Sequence, residues 1–303
     1  MSIDSDLRVD RQRLKRRLTF WRLLAVVAAV GAVLLLIDRH QPILHAQHIA
    51  RISINGVIAD DPDRADALKQ VAKDPSARAL IVRIDSPGGT VVGGQSLYYE
   101  LREVAANKPV AIVMGEMATS AGYMVALGGD RIFAREGSVT GSIGVILQTA
   151  DVTGLLQKLG ITTEALKSAP LKAVPSPLEP LTPEAREATM SVIRDVYDSF
   201  VKLVETRRQL SPEQAAPLSD GRVFTGRQAL ANGLIDEIGG ENEALRWLSV
   251  AHGVSPQLPI RDIDTDEEKE LFRKVVGGWA GKTLFSERLT LDGVISVWHP
   301  DLR

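Results

Sequence analysis

Apolar residues run unbroken from Leu23 to Ile37, 15 positions, or 20 counted from Leu18 if Arg22 is admitted near one end. About 20 such residues cross a bilayer as a helix, and Arg22 can snorkel its charge to the headgroups. After a polar connector at 38–48, the pattern changes. Arg51-Ile-Ser-Ile-Asn55 alternates as a half-buried strand does, whereas Ala79 to Ile84 and Val110 to Met114 read as more fully buried strands. Between these two, Gln95 to Asn107 carries Leu97, Leu101 and Val104 at helical spacing. Thr182-Pro183 reads as an N-cap and first-turn proline of a long helix. Its apolar stripe is Met190, Ile193, Tyr197, Phe200, Val201 and Val204. Shorter helices are expected over 226–232 and about 241–250. Strands separated by helices of this length predict an α/β domain with a largely parallel sheet over residues 49–250. The extension at 251–303 differs in character, with a charged patch from Asp264 to Lys269 and then Trp279, Phe285 and Trp298 among polar residues. It is expected to pack on a neighbouring copy or on the membrane surface.

Charge orients the apolar run. Arg8, Arg11, Arg13, Lys15, Arg16 and Arg17 precede it, and only Asp38, Arg39 and His40 follow closely. By the positive-inside rule residues 1–17 stay in the cytoplasm, 18–37 span the membrane, and everything after residue 38 is exported. No small-x-small site follows Ile37 closely, so an uncleaved anchor is expected rather than a removed leader. A net charge of −2 argues against nucleic acid as the main partner. The chain has no cysteine, which excludes disulfides, thiolate metal sites and cysteine nucleophiles. His40, His45 and His48 fit no helical i, i+4 ligand pair and are read as connector; no metal and no cofactor is expected.

Three turns rich in glycine or small residues follow strands. Asp85-Ser-Pro-Gly-Gly-Thr90 lets the backbone approach a ligand and present N–H groups, as an oxyanion hole requires. Met117 to Tyr123 places Ser120 among small residues just past a buried strand, where a nucleophile is exposed and the next N–H is at hand. On its own, a serine at such a position is more often a helix N-cap than a nucleophile. Gly137 to Val145 holds Ser142 between glycines. No histidine lies between His48 and His252. A serine nucleophile from this region therefore takes its base from elsewhere, and a desolvated lysine can serve, because burial disfavours the charged ammonium. Lys167 and Lys172 are both candidates on local sequence.

Together these segments resemble the signal peptide peptidase SppA family, serine proteases of the ClpP/crotonase-like superfamily. The resemblance covers roughly Ile49 to Val250. It rests on Asp85 to Gly89, Ala118 to Tyr123, Gly137 to Val145, Lys167 to Lys172 and Asp220 to Ala229. It implies a ClpP/crotonase-like fold behind an N-terminal transmembrane helix, Ser120 as nucleophile, Lys172 as general base, and Ser142 as hydrogen-bond partner of the lysine. It also implies an oxyanion hole from the N–H groups of Gly89 and Ala121, and extended peptides bound along Gly88, Thr90, Val91 and Val92. The family usually has Ser-Gly-Gly-Tyr where this chain has Ser120-Ala-Gly-Tyr123, so the methyl of Ala121 is expected to narrow the pocket. Short members of the family assemble as rings in which Ser120 of one copy would meet Lys172 of the next. The implied function is endopeptidic degradation of cleaved signal peptides at the bacterial inner membrane, with the catalytic domain outside the cytoplasm. Three alternatives are a related membrane peptidase with other protein substrates, a crotonase-like acyl-CoA enzyme, which exported topology disfavours, and a non-catalytic membrane scaffold.

Overall fold

The computed structural model describes residues 21–23, 25–26, 46–263 and 295–297. Most of the expected anchor and connector lie outside them; Trp21, Arg22, Leu23, Ala25 and Val26 are helical. Among the described residues no helix is long and apolar enough to cross a membrane.

From Gln47 onward the chain forms one unit. In chain order it contains β1 (His48–Ile58), α1 (Pro62–Lys73), β2 (Ala77–Thr90), α2 (Val91–Ala105), β3 (Val110–Thr119), α3 (Ala121–Ala126), β4 (Arg131–Ala134) and β5 (Val139–Gly141). There follow α4 (Thr153–Lys158), α5 (Pro183–Arg208), α6 (Pro212–Ala215), β6 (Val223–Thr225), α7 (Gly226–Ala231), β7 (Glu237–Ile238), α8 (Glu241–His252), β8 (Ile260–Asp262) and β9 (Ile295–Val297). The strands make one mixed sheet with the main path β6-β5-β3-β2-β1-β8. Its centre is parallel, while β6 and β9 pair antiparallel with β5 and β2. The α/β class and the largely parallel sheet are as expected.

Residue alternation explains why the central strands read as unbroken apolar runs. Ile52, Ile54, Leu80, Val82, Ile84, Ile112 and Met114 point into one core together with α2, α3 and α5. The residues between them, including Ile49, Ala79, Ile81, Ala111 and Val113, enter a second core with Ala244 and Leu248 of α8. A sheet covered on both faces has no polar face to alternate.

Two strands change partners along their length, and this shapes the site. β3 lies beside β4 at Ala111–Val113 and beside β5 at Met117–Thr119. β2 lies beside β3 from Leu80 to Ser86 and then beside β9 at Gly88–Thr90.

Several boundaries differ from the sequence reading. α2 begins at Val91, four residues earlier than the periodicity suggested, because Thr90 Oγ1 caps it by accepting from the Gly93 N–H at 3.0 Å. Gly93 and Gly94 add nothing to an apolar stripe, so the first turn is silent in the pattern. β1 starts at His48, the last residue of the expected connector, and buries it. β8 and β9, both from the expected extension, join the sheet. α5 starts as expected, with Thr182 Oγ1 accepting from the Ala185 N–H at 3.2 Å.

The far end of α5 clamps the short helix after β3. Arg207 donates to the carbonyls of Leu127 and Gly129, and Arg208 pairs with Asp236 at 2.8 Å. Tyr123, fully buried, donates its hydroxyl to the Leu234 carbonyl at 2.9 Å. Burial pushes this phenol up from its ordinary value, so it stays a neutral donor. Tyr123→Phe leaves that carbonyl without its donor and is expected to cost about 1–2 kcal/mol, read as a lowered urea midpoint with an unchanged slope.

Candidate active site

β3 runs straight into Ser120, and α3 begins at the next residue. Ser120 has φ 56° and ψ −118°, a conformation that L residues rarely adopt and that costs roughly 1–3 kcal/mol. Neighbouring backbone holds it there: its N–H donates to the Gly141 carbonyl at 2.8 Å, and its carbonyl accepts from the Met124 N–H at 2.9 Å. Although Ser120 occupies the N-cap position, its side chain makes no capping hydrogen bond to α3. The bland reading of this serine as a helix cap is therefore not what the geometry shows.

Ser142 is brought to the same place by strand pairing. β5 lies parallel to β3, with Thr119 opposite Gly141, so the residues that follow each strand are neighbours. Ser142 also has positive φ, 51°, and its N–H donates to the Arg222 carbonyl at 2.8 Å. Thr140 Oγ1 ties the two strands together by donating to the Ala118 carbonyl at 2.7 Å.

Ser120 and Ser142 line one cleft of about 510 Å³. Its other walls are Ile143 to Ile146 after β5, Tyr197 of α5, and Ser219 to Gly221 before β6. Tyr197 and Ser219 were not singled out by sequence. Tyr197 appeared only as part of an apolar stripe, yet its hydroxyl donates to the Ser219 carbonyl at 2.8 Å and fastens α5 to the cleft. Burial and the carboxylates of Asp198 and Asp220 push that phenol up. Arg222 hydrogen bonds hold Asp220 below the usual carboxylate range. Ser219 is buried, and its Oγ has no hydrogen-bond partner among the described residues.

The glycine turn stands beside this cleft's nucleophile. Thr119 Oγ1 donates to the Pro87 carbonyl at 3.0 Å, linking the end of β3 to the turn in β2. Gly88 has φ 118°, open to glycine but strained for other residues. A Cβ on Gly89 would lie 1.8 Å from the Ile58 carbonyl oxygen, so only glycine fits against β1 there. Of the residues expected to bind peptide, Thr90 caps α2, Val91 is buried in the core, and Val92 is 59% exposed. Ala121 is fully buried, and its Cβ lies 3.1 Å from where a Cβ on Gly94 would stand. Its methyl thus packs against α2, and Ala121 is not among the residues lining the cleft.

Lys172 is an exposed residue of a turn in the arm between β5 and α5, and it is not among the residues lining the Ser120 cleft. Lys167, indistinguishable from it by sequence, is paired with Glu179 at 2.7 Å. No lysine, arginine or histidine is among the described residues that line the cleft. The arm itself exposes Leu155, Leu159, Ile161, Leu171 and Leu178, and Leu166 is 93% exposed. Its helix α4 has no buried residue.

Known proteins match this chain closely. The pattern of Peptidase family S49 matches residues 102–255. The chain is 40% identical over 233 residues to a protein of Synechocystis sp. named as a protease, covering 76% of this chain and 83% of that one. It is 30% identical over 269 residues to a protein of Enterococcus faecium named as a signal peptide peptidase SppA, covering 83% of this chain and 76% of that one. Among solved structures, a ClpP1 variant of Listeria monocytogenes is 18% identical with a TM-score of 0.43, covering 64% of this chain and 92% of that one. On the family match and the first of these relatives, the chain belongs to peptidase family S49 and is a serine protease.

Proposed function

We propose that this protease is a membrane-anchored endopeptidase of the bacterial inner membrane, with a Ser120–Lys172 dyad completed between two copies of the chain. The observation that carries the reading is the cleft itself. It holds a strained serine beside a second serine, the glycine turn is tied to the residue before that serine, and among the described residues its lining offers no cationic or imidazole base. A base supplied by the neighbour satisfies that requirement. The arm bearing Lys172 supports it, because its exposed leucines join no core cluster among the described residues. Contiguous exposed apolar surface marks an interaction site. Packing such an arm on a second copy also strips water from its lysine, and a desolvated ammonium favours its neutral, proton-accepting form.

In this mechanism Ser120 Oγ attacks the peptide carbonyl while Lys172 Nζ of a neighbouring copy takes its proton. The N–H groups of Gly89 and Ala121 hold the oxyanion, each contributing about 3 kcal/mol. Ser142 hydrogen-bonds the lysine and fixes its position. The leaving amine recovers the proton, and water then hydrolyses the acyl ester. Extended apolar peptides, including cleaved signal peptides, lie along the Gly88–Val92 edge by strand addition. The name of the Enterococcus faecium relative supports that substrate class. Residues 18–37 anchor the chain with its peptidase domain outside the cytoplasm.

Complementation tests the dyad. Ser120→Ala and Lys172→Ala chains are each expected to be inactive on an apolar peptide. Co-expressed in equal amounts, they are expected to recover about a quarter of wild-type activity, since random assembly in a closed ring pairs an intact serine with an intact neighbouring lysine at one site in four. No recovery in a mixed assembly shown by native mass would overturn the proposal that the dyad forms between copies.

A further inference from the structure

We propose that a second cleft, at the end of the sheet where the strands begin, binds the phosphate of an anionic phospholipid, so that this end of the domain rests on the membrane surface. The proposal depends on the reading of residues 18–37 as an anchor. The cleft measures about 370 Å³ and lies between the end of α1, the first residues of β2 and the turn before β3. Lys73, Arg78 and Lys108 line it, together with Asp74 and His252. It shares no lining residue with the Ser120 cleft. Ser120 follows the far end of β3, and a strand from Val110 to Thr119 rises about 30 Å.

Charge supplies the first argument. Lys73, Arg78 and Lys108 are three cations against the single carboxylate of Asp74. That carboxylate is already engaged: its Oδ1 accepts from the Ser76 N–H at 2.8 Å, and its Oδ2 lies 3.8 Å from His48 Nε2. Lys108 donates to the carbonyls of Val71 and Asp74, at 2.5 and 2.7 Å, and so closes the end of α1. Burial lowers the Lys108 ammonium from its ordinary value; Asp74 raises it, and the like charge of Arg78 lowers it further. Lys73 and Arg78 are exposed, and neither side chain has an ion pair or hydrogen bond among the described residues. Cations gathered in one cleft favour an anion between them, and a guanidinium beside ammonium groups matches the oxygens of a phosphate.

Chain length supplies the second argument. His48 opens β1 beside this cleft, its N–H donating to the Ser76 carbonyl at 3.0 Å. Only residues 38–47 separate it from the expected anchor, and ten residues reach at most about 35 Å. An anchored chain therefore holds this end of the domain close to the bilayer, where clustered cations meet lipid phosphates. That placement favours a lipid phosphate over a soluble one.

Acetylation of Lys73, followed by mass in the full-length chain, is the test. The chain is placed in nanodiscs of phosphatidylcholine alone or of phosphatidylcholine mixed with phosphatidylglycerol, with exposed Lys202 of α5 as the internal reference. Relative to Lys202, Lys73 is expected to react about fivefold or more slowly in the anionic discs. Arg78→Gln, which removes an exposed charge and no contact of the fold, is expected to bring that rate to within about twofold of the neutral-disc value. Equal Lys73 rates in the two kinds of disc overturn the proposal while leaving the anchor in place. Slowing that Arg78→Gln does not relieve also overturns it, since the charge of the lipid surface would then act without the cleft. Equal slowing by inorganic phosphate in neutral discs overturns the lipid as the source of the phosphate. A chain that enters neither kind of disc overturns the anchor reading, and the lipid contact falls with it.

Discussion

Ser120→Ala is expected to lower peptide hydrolysis by about 10⁴-fold or more while leaving the urea midpoint close to that of the wild type. The large effect on rate follows from the absence of any second nucleophile able to take over at that point of the cleft. Ser142 is adjacent, but it follows a different strand and is held by its own hydrogen bond to Arg222. The small effect on stability follows from the start of α3 not depending on Oγ, since the side chain makes no cap there. The backbone conformation adds a second signature. At φ 56° and ψ −118° a Cβ is strained whatever it carries, so Ser120→Gly is expected to be about 1 kcal/mol more stable than Ser120→Ala and equally inactive. Rates measured beside denaturant curves for the two variants check both statements. Residual activity above about 1% in Ser120→Ala would sink the nucleophile assignment.

Gly89→Ala is expected to damage fold and activity together, costing about 3 kcal/mol and reducing the rate by about 10²–10³. The added methyl would stand 1.8 Å from the Ile58 carbonyl oxygen and 2.6 Å from Ile58 C and N. These are backbone atoms of the adjoining strand, so no rotamer change relieves the contact. β2 must part from β1 at the N–H proposed to hold the oxyanion. Gly137→Ala is the control, because a Cβ there meets nothing within 4 Å, and its effect is expected within about 0.5 kcal/mol. Gly89→Ala with wild-type stability and rate would remove Gly89 from the site.

Much of the scaffold was legible because its signals are local. Alternation and apolar runs marked β1, β2 and β3, and Thr182-Pro183 marked the start of α5, since a cap or a buried strand needs only its own residues to be recognised. α2 was read late because its first turn is specified by a capping threonine and two glycines rather than by an apolar stripe. Ser120 was visible as a serine at a strand-to-helix turn, but its positive φ and its missing cap were not, because the backbone around it is held by β5 and not by its chain neighbours. The roles of Tyr197 and Ser219 escaped for the same reason. A tyrosine on an amphipathic stripe reads as core until the loop it bonds to is in place.

The sequence alone determined that the chain carries an apolar run with basic residues before it, an α/β domain with glycine turns after buried strands, and a serine that no nearby histidine can serve. Those conclusions need only composition, spacing and periodicity. Tertiary structure decided which groups meet. It put Ser142 beside Ser120 through the pairing of β5 with β3, left Lys172 exposed and outside the residues lining its own chain's cleft, and paired β9 with β2 at Gly88–Thr90. Strand pairing is non-local: which strand lies beside β2 there depends on where β3 leaves it, and no residue of the tail records that.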